Sequence, residues 1–119
     1  MRISELSAVT GVSPDRLRRY ESQGLISSQR QPNGYRVYAD HIRKEVVFID
    51  MSRKLGFSLS EIAQHLPRYR SGLLTADEMT DALQAKIREV DAVIQEQRML
   101  RQSLVQHIAW FHEPKKESR

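Results

Sequence analysis

"GVSPDRLRRYESQGLISSQRQPNGYRVY", residues 11–38, is the stretch whose reading decides the fold. Ser13 is placed to cap a helix, Pro14 takes the first helical position where its missing N–H costs nothing, and Asp15 falls in the first turn. Gly24 closes that helix. Upstream, Ile3, Leu6 and Val9 recur every three residues, which predicts a helix over about 4–10 with those side chains turned inward and Gly11 at its end. Two short helices joined across residues 11–13 make a helix-turn-helix.

At 100° per residue the second helix sends Leu17 to the core, with Asp15, Arg19 and Ser22 opposite and Arg16 and Arg18 on the flanks. Guanidinium forks match guanine O6/N7 and phosphate oxygens alike, so this basic face suits a DNA major groove. Asp15 is read as support for the helix N-terminus. Tyr20 is assigned a phosphate contact through its hydroxyl, with a half-buried core role as the alternative.

Strands are expected near residues 25–29 and 35–38 around Asn33-Gly34, where positive φ is tolerated. A lone two-stranded hairpin is marginal unless it packs on something. Of Tyr35 and Tyr38, one therefore packs against the helices, while Arg30 and Arg36 are the candidates for phosphate contacts.

The rest of the chain reads as helices. Residues 39–57 place Ile42, Val46, Ile49 and Leu55 near one face and end at Gly56. "SLSE" is a capping box, Ser58 with Glu61, opening a short helix that Pro67 is expected to end. A connector "RYRSG" leads to a second box, Thr75 with Glu78. There begins a stripe of Leu83, Ile87, Val90, Ile94, Gln97, Arg101, Leu104, Ile108 and Phe111 at spacings of four and three, the seam of a coiled coil. A helix of about 35 residues, about 50 Å long, cannot bury such a stripe on a small domain, so a second copy of the chain is implied. Gln97 and Arg101 interrupt the seam and are read as register-setting or simply exposed, ahead of the alternative that the polar pair lines a ligand cavity. The expected organisation is a DNA-binding domain over 1–70, a linker and dimerisation helix over 71–112, and a frayed tail over 113–119.

Composition narrows the function. Residues 1–72 carry 12 Lys/Arg against 7 Asp/Glu, and residues 73–119 carry 7 against 8, so the basic surplus lies entirely in the first part. That part is suited to a polyanion and the second to protein. With no cysteine, disulfides, thiolate metal sites and cysteine nucleophiles are excluded. His41, His65, His107 and His112 do not stand at ligand spacing, and there is no Walker loop, G-x-S-x-G elbow or acid/base pair, so neither a cofactor nor catalysis is expected. No apolar run approaches a membrane span and the N-terminus is too polar for a signal peptide, which makes a soluble cytoplasmic protein the expectation.

"ISELSAVTGVSPDRLRRYESQGLI", "NGYRVY" and "RKLGFSLSEI" together resemble the three successive signatures of the MerR family of bacterial transcription regulators. The resemblance implies a mainly α, winged helix-turn-helix domain followed by a long antiparallel coiled-coil dimerisation helix. It implies a homodimer on a palindromic promoter operator, acting on RNA polymerase indirectly by bending and untwisting the DNA. Carried over residue by residue, Arg16, Arg18, Arg19 and Tyr20 match the recognition helix, and Tyr35, Arg36 and Tyr38 the first wing. Arg53 and Lys54 lie in the helix preceding the second wing. Two departures stand out: Arg19 where many members carry an aromatic residue, and the absence of the cysteines by which metal- and redox-sensing members bind inducers. Any small-molecule effector stays unidentified. The alternative reading is an architectural or recombination accessory protein that bends DNA with a similar module.

Overall fold

The computed structural model describes residues 1–114 and orders them as α1 (Ile3–Thr10), α2 (Pro14–Ser22), β1 (Gln29–Arg30), β2 (Arg36–Val37), α3 (Ile42–Lys54), α4 (Leu59–Arg70) and α5 (Ala76–His112). Of the tail expected over 113–119, residues 115–119 lie outside the described residues. The chain divides into two compact units, Met1–Thr75 and a second beginning at Ala76.

In the first unit α1 packs against α2 and α3, and α3 packs against α4. Ser13 accepts the backbone N–H of Arg16 at 3.2 Å, the cap its position predicts. Gly11 takes a left-handed φ of +75° and sends its N–H back to Ser7, so α1 stops within one residue of the turn. Leu6, Val12 and Leu17 bury completely around that turn. Val9 does not: it is 43% exposed, because a three-residue repeat drifts off the buried stripe of an eight-residue helix. Leu55 is likewise exposed, since it caps α3 rather than extending its inner face of Ile42, Val46 and Ile49.

The hairpin is shorter than expected. Its ladder pairs only Gln29 with Val37 and Arg30 with Arg36, while Leu25 and Ile26 are not strand but buried core. The turn also differs. The Gly34 N–H bonds to the Gln31 carbonyl at 2.9 Å, putting Pro32 and Asn33 at the centre, and only Gly34 takes positive φ, +88°. Proline fixes the φ of the first central position, and Asn33 instead accepts the Tyr35 N–H on its side chain at 3.1 Å. So small a ribbon needs external support. Met1 supplies it: its amine donates to the Tyr38 carbonyl at 2.7 Å and its carbonyl accepts the Tyr38 N–H at 2.6 Å. Arg2 lies over the Tyr35 ring, 4.2 Å from its centroid.

Both hydrogen bonds of the Ser58/Glu61 capping box form at the start of α4. Pro67 does not end this helix, which runs on to Arg70. Proline forfeits one backbone bond, and tertiary contacts of the last turn offset it. Tyr69 stacks on Phe48 with centroids 4.2 Å apart, and Arg70 reaches both the buried Glu45 carboxylate and the Leu25 carbonyl. "RYRSG" is therefore helix and core contact before it is connector.

The second unit is a single helix of 37 residues, about 55 Å long, with no buried residue along it. Ile87, Val90, Ile94, Leu104, Ile108 and Phe111 of the seam are all exposed, Phe111 by 71%. Gln97 and Arg101 are exposed beside them, and Leu83 is half-buried.

Candidate nucleic-acid interface

α2 and the C-terminal half of α3 border one cleft of about 310 Å³, lined by Arg16, Arg19, Tyr20, Asp50, Arg53, Lys54 and Leu59. Five of the predicted DNA contacts, Arg16, Arg19, Tyr20, Arg53 and Lys54, thus converge on one place from two helices, the α2 members lying more than 30 residues from the α3 members in sequence. Asp50, which no sequence signal singled out, ties together Arg16, Tyr20 and Lys54. Its Oδ1 accepts Arg16 at 2.9 Å and the Tyr20 hydroxyl at 3.3 Å, and its Oδ2 pairs with Lys54 at 3.1 Å. Burial pushes the Asp50 carboxyl up, but hydrogen bonds from Lys54 and Arg16, together with their charges, hold it below the ordinary carboxylate range. Arg53 donates to the Phe57 carbonyl at 3.1 Å, which fixes its stem across the turn after α3.

Arg18 pairs with Asp15 at 3.0 Å on the open surface, so Asp15 serves a neighbouring side chain as well as the helix N-terminus. Arg19 is exposed and makes no side-chain hydrogen bond or ion pair among the described residues.

Glu21 is the second organiser that sequence reasoning missed. From α2 it accepts the Tyr38 hydroxyl at 2.5 Å and the Ser28 hydroxyl at 2.7 Å, and it pairs with Arg36 at 3.4 Å. It fastens the hairpin to the helix that carries Arg16 and Arg19. Burial alone would raise its carboxyl, but the two hydroxyls and the charges of Arg36 and Arg30 outweigh burial and lower it. Arg30 and Arg36 face each other in the ladder, both exposed.

Two predicted contacts are corrected. Tyr20 is 2% exposed and Tyr38 1%, so their rings are core and their hydroxyls are spent on Asp50 and Glu21. Burial and the Glu21 carboxylate push the Tyr38 hydroxyl up to about 12, which keeps it a donor at any working pH. Tyr35, 56% exposed, is the tyrosine that stays on the surface.

Residues 2–38 match the family model "MerR family regulatory protein" and residues 43–107 match "MerR, DNA binding". The HTH-type transcriptional regulator HmrR of Rhizobium leguminosarum bv. viciae is 38% identical over 104 residues, 87% of this chain and 81% of that protein. The chain belongs to the MerR family. Another MerR relative, the HTH-type transcriptional regulator ZntR of Escherichia coli K12, is 34% identical over 105 residues, 87% of this chain and 74% of that protein. Among solved structures, PbrR691 from Ralstonia metallidurans CH34 in complex with lead(II) superposes with a TM-score of 0.74 at 29% identity, over 89% of this chain and 83% of that one. HiNmlR, a MerR regulator lacking the sensor domain and bound to promoter DNA, shares the fold at a TM-score of 0.60 and 20% identity, over 93% and 85% of the two chains. MerR proteins are DNA-binding transcription regulators and not enzymes. Among the described residues no helix is long and apolar enough to cross a membrane.

Proposed function

We propose that this MerR protein acts as a homodimer on a palindromic promoter operator, with a DNA-binding domain over 1–70, α5 as the dimerisation helix, and DNA distortion as the means of acting on RNA polymerase. The observation that carries this reading is α5 itself: 37 residues with none buried, and an apolar seam exposed from Ile87 to Phe111 in one chain. Such a stripe is stable in water only against a partner helix, and a second copy is the simplest supplier. Gln97 and Arg101 within it set the register of the pair.

On DNA, Arg16 and Arg19 contact bases, while Arg18, Arg30, Arg36, Arg53 and Lys54 hold phosphates and Tyr35 flanks the wing. Tyr20 and Tyr38 act from within, by fixing these side chains. PbrR691 was solved with lead(II), but this chain has no cysteine, so an inducer, if it has one, is not a thiolate-bound metal.

Light scattering and footprinting on the protein's own upstream region test the proposal together. A dimer protecting a palindrome, with recognition helices about 34–36 Å apart or a multiple if the DNA is undeformed, supports it. A monomer with equal affinity for random and genomic duplexes refutes it. Promoter-bound transcription assays separate a promoter switch from an architectural DNA-bending protein.

A further inference from the structure

We propose that Asp50 is a specificity-determining positioning residue, a carboxylate in the DNA-facing cleft that holds Arg16 in a fixed pose and suppresses non-specific phosphate binding. The inference rests on the assignment of the cleft to DNA and goes beyond it, because Asp50 itself touches no base.

The geometry has two parts. First, Asp50 is buried while Arg16 and Lys54, which it grips, are about half exposed or more, so a carboxylate fixed in the fold holds two cations that face solvent. Arg16 spends one N–H of Nη1 on Oδ1 and keeps donors from a five-donor fork for a ligand. An arginine already held in one rotamer loses less entropy on reading a base than one that is loose. The Tyr20 hydroxyl braces the same oxygen from the core, which limits swing of the carboxylate. Second, Asp50 is the one acid among four cations lining the cleft. Any phosphate entering must compete with it for Arg16 and Lys54. That competition weakens contacts made to every sequence and spares the base contacts that Arg16 makes when correctly seated.

The test compares wild type, D50N, D50E, Y20F and R16A on two labelled duplexes: the site that wild type selects from a random pool, and a shuffled duplex of the same composition. Asp50→Asn keeps the shape and removes the charge. Its selected-to-shuffled affinity ratio falls about tenfold. Its affinity for the shuffled duplex rises, with a salt slope steeper by about one. Asp50→Glu restores the charge and returns the slope toward wild type, which a purely structural role would not produce. Should D50N fail to fold, Y20F carries the test: it removes one donor to Oδ1 and lowers the ratio by about two- to threefold with an unchanged slope. A folded D50N with wild-type ratio and slope, while R16A loses affinity for the selected site, overturns the role of Asp50 alone. If R16A binds the selected site as wild type does, the assignment of the cleft to DNA falls as well.

Discussion

Removing one oxygen, by Tyr38→Phe, probes how the hairpin is held to the recognition helix. The Tyr38 hydroxyl donates to Glu21 at 2.5 Å inside a cluster that also holds Ser28 and Arg36. A hydrogen bond to a charged group contributes about 1.5–3 kcal/mol, and because Glu21 keeps two other partners the loss falls in the lower half, about 1.5–2 kcal/mol. In urea unfolding this moves the midpoint down by about 1 M with an unchanged slope. The effect depends on pH in a definite direction. The Glu21 carboxyl is lowered from its ordinary 4.5 in the folded protein, so its stabilisation is complete above that value and is lost as pH falls through the lower folded pKa. Without the Tyr38 hydroxyl the folded carboxyl titrates at higher pH. The gap between Y38F and wild type is therefore full at pH 7 and shrinks as pH falls below the ordinary carboxylate value of 4.5 through the lowered folded pKa. The double-mutant cycle with E21Q gives a coupling of at least about 1 kcal/mol at pH 7. A gap below about 0.5 kcal/mol at pH 7, or one that is the same at pH 3.5 as at pH 7, refutes the argument that a charged hydrogen bond anchors the wing.

Three further perturbations test other parts of the structure. Gly34→Ala meets open space but must adopt a φ of +88°, so it destabilises by about 1–2 kcal/mol through backbone strain alone, measurable as a lowered denaturation midpoint. Ser58→Ala removes the capping hydroxyl of α4 at 3.1 Å from the Glu61 N–H and costs about 1 kcal/mol, read by thermal unfolding. Ile94→Asp places a charge in the centre of the α5 seam; if α5 is the dimerisation helix as proposed, sedimentation equilibrium shows the wild type as a dimer and the variant as a monomer at the same concentration.

The elements were legible wherever their chemistry is local. Ser13, Pro14 and Gly11 punctuate the helix-turn-helix within four residues, and the Ser58/Glu61 box marks α4 by itself, because a cap needs only partners three residues away. Pro67 misled for the opposite reason: local chemistry ends a helix there, and contacts from Tyr69 to Phe48 and Arg70 to Glu45 carry it on. The fate of the tyrosines was open in sequence because alternation along a ribbon assigns faces only when the strands are long enough to define them. Here each strand has two residues.

The amino-acid sequence alone determined the basic N-terminal half, the helix-turn-helix, the hairpin, the unpartnered long helix, and the arginines available to DNA. Each rests on composition or on spacings within one element. Only the tertiary structure decided which of those side chains stay exposed and which are committed to holding others. Asp50 reaches Arg16 across 34 residues of chain, and Glu21 reaches Tyr38 across 17. Such pairings exist only once the fold has brought the partners together and buried the carboxylate, since a buried carboxylate must replace its lost water with hydrogen bonds from the protein.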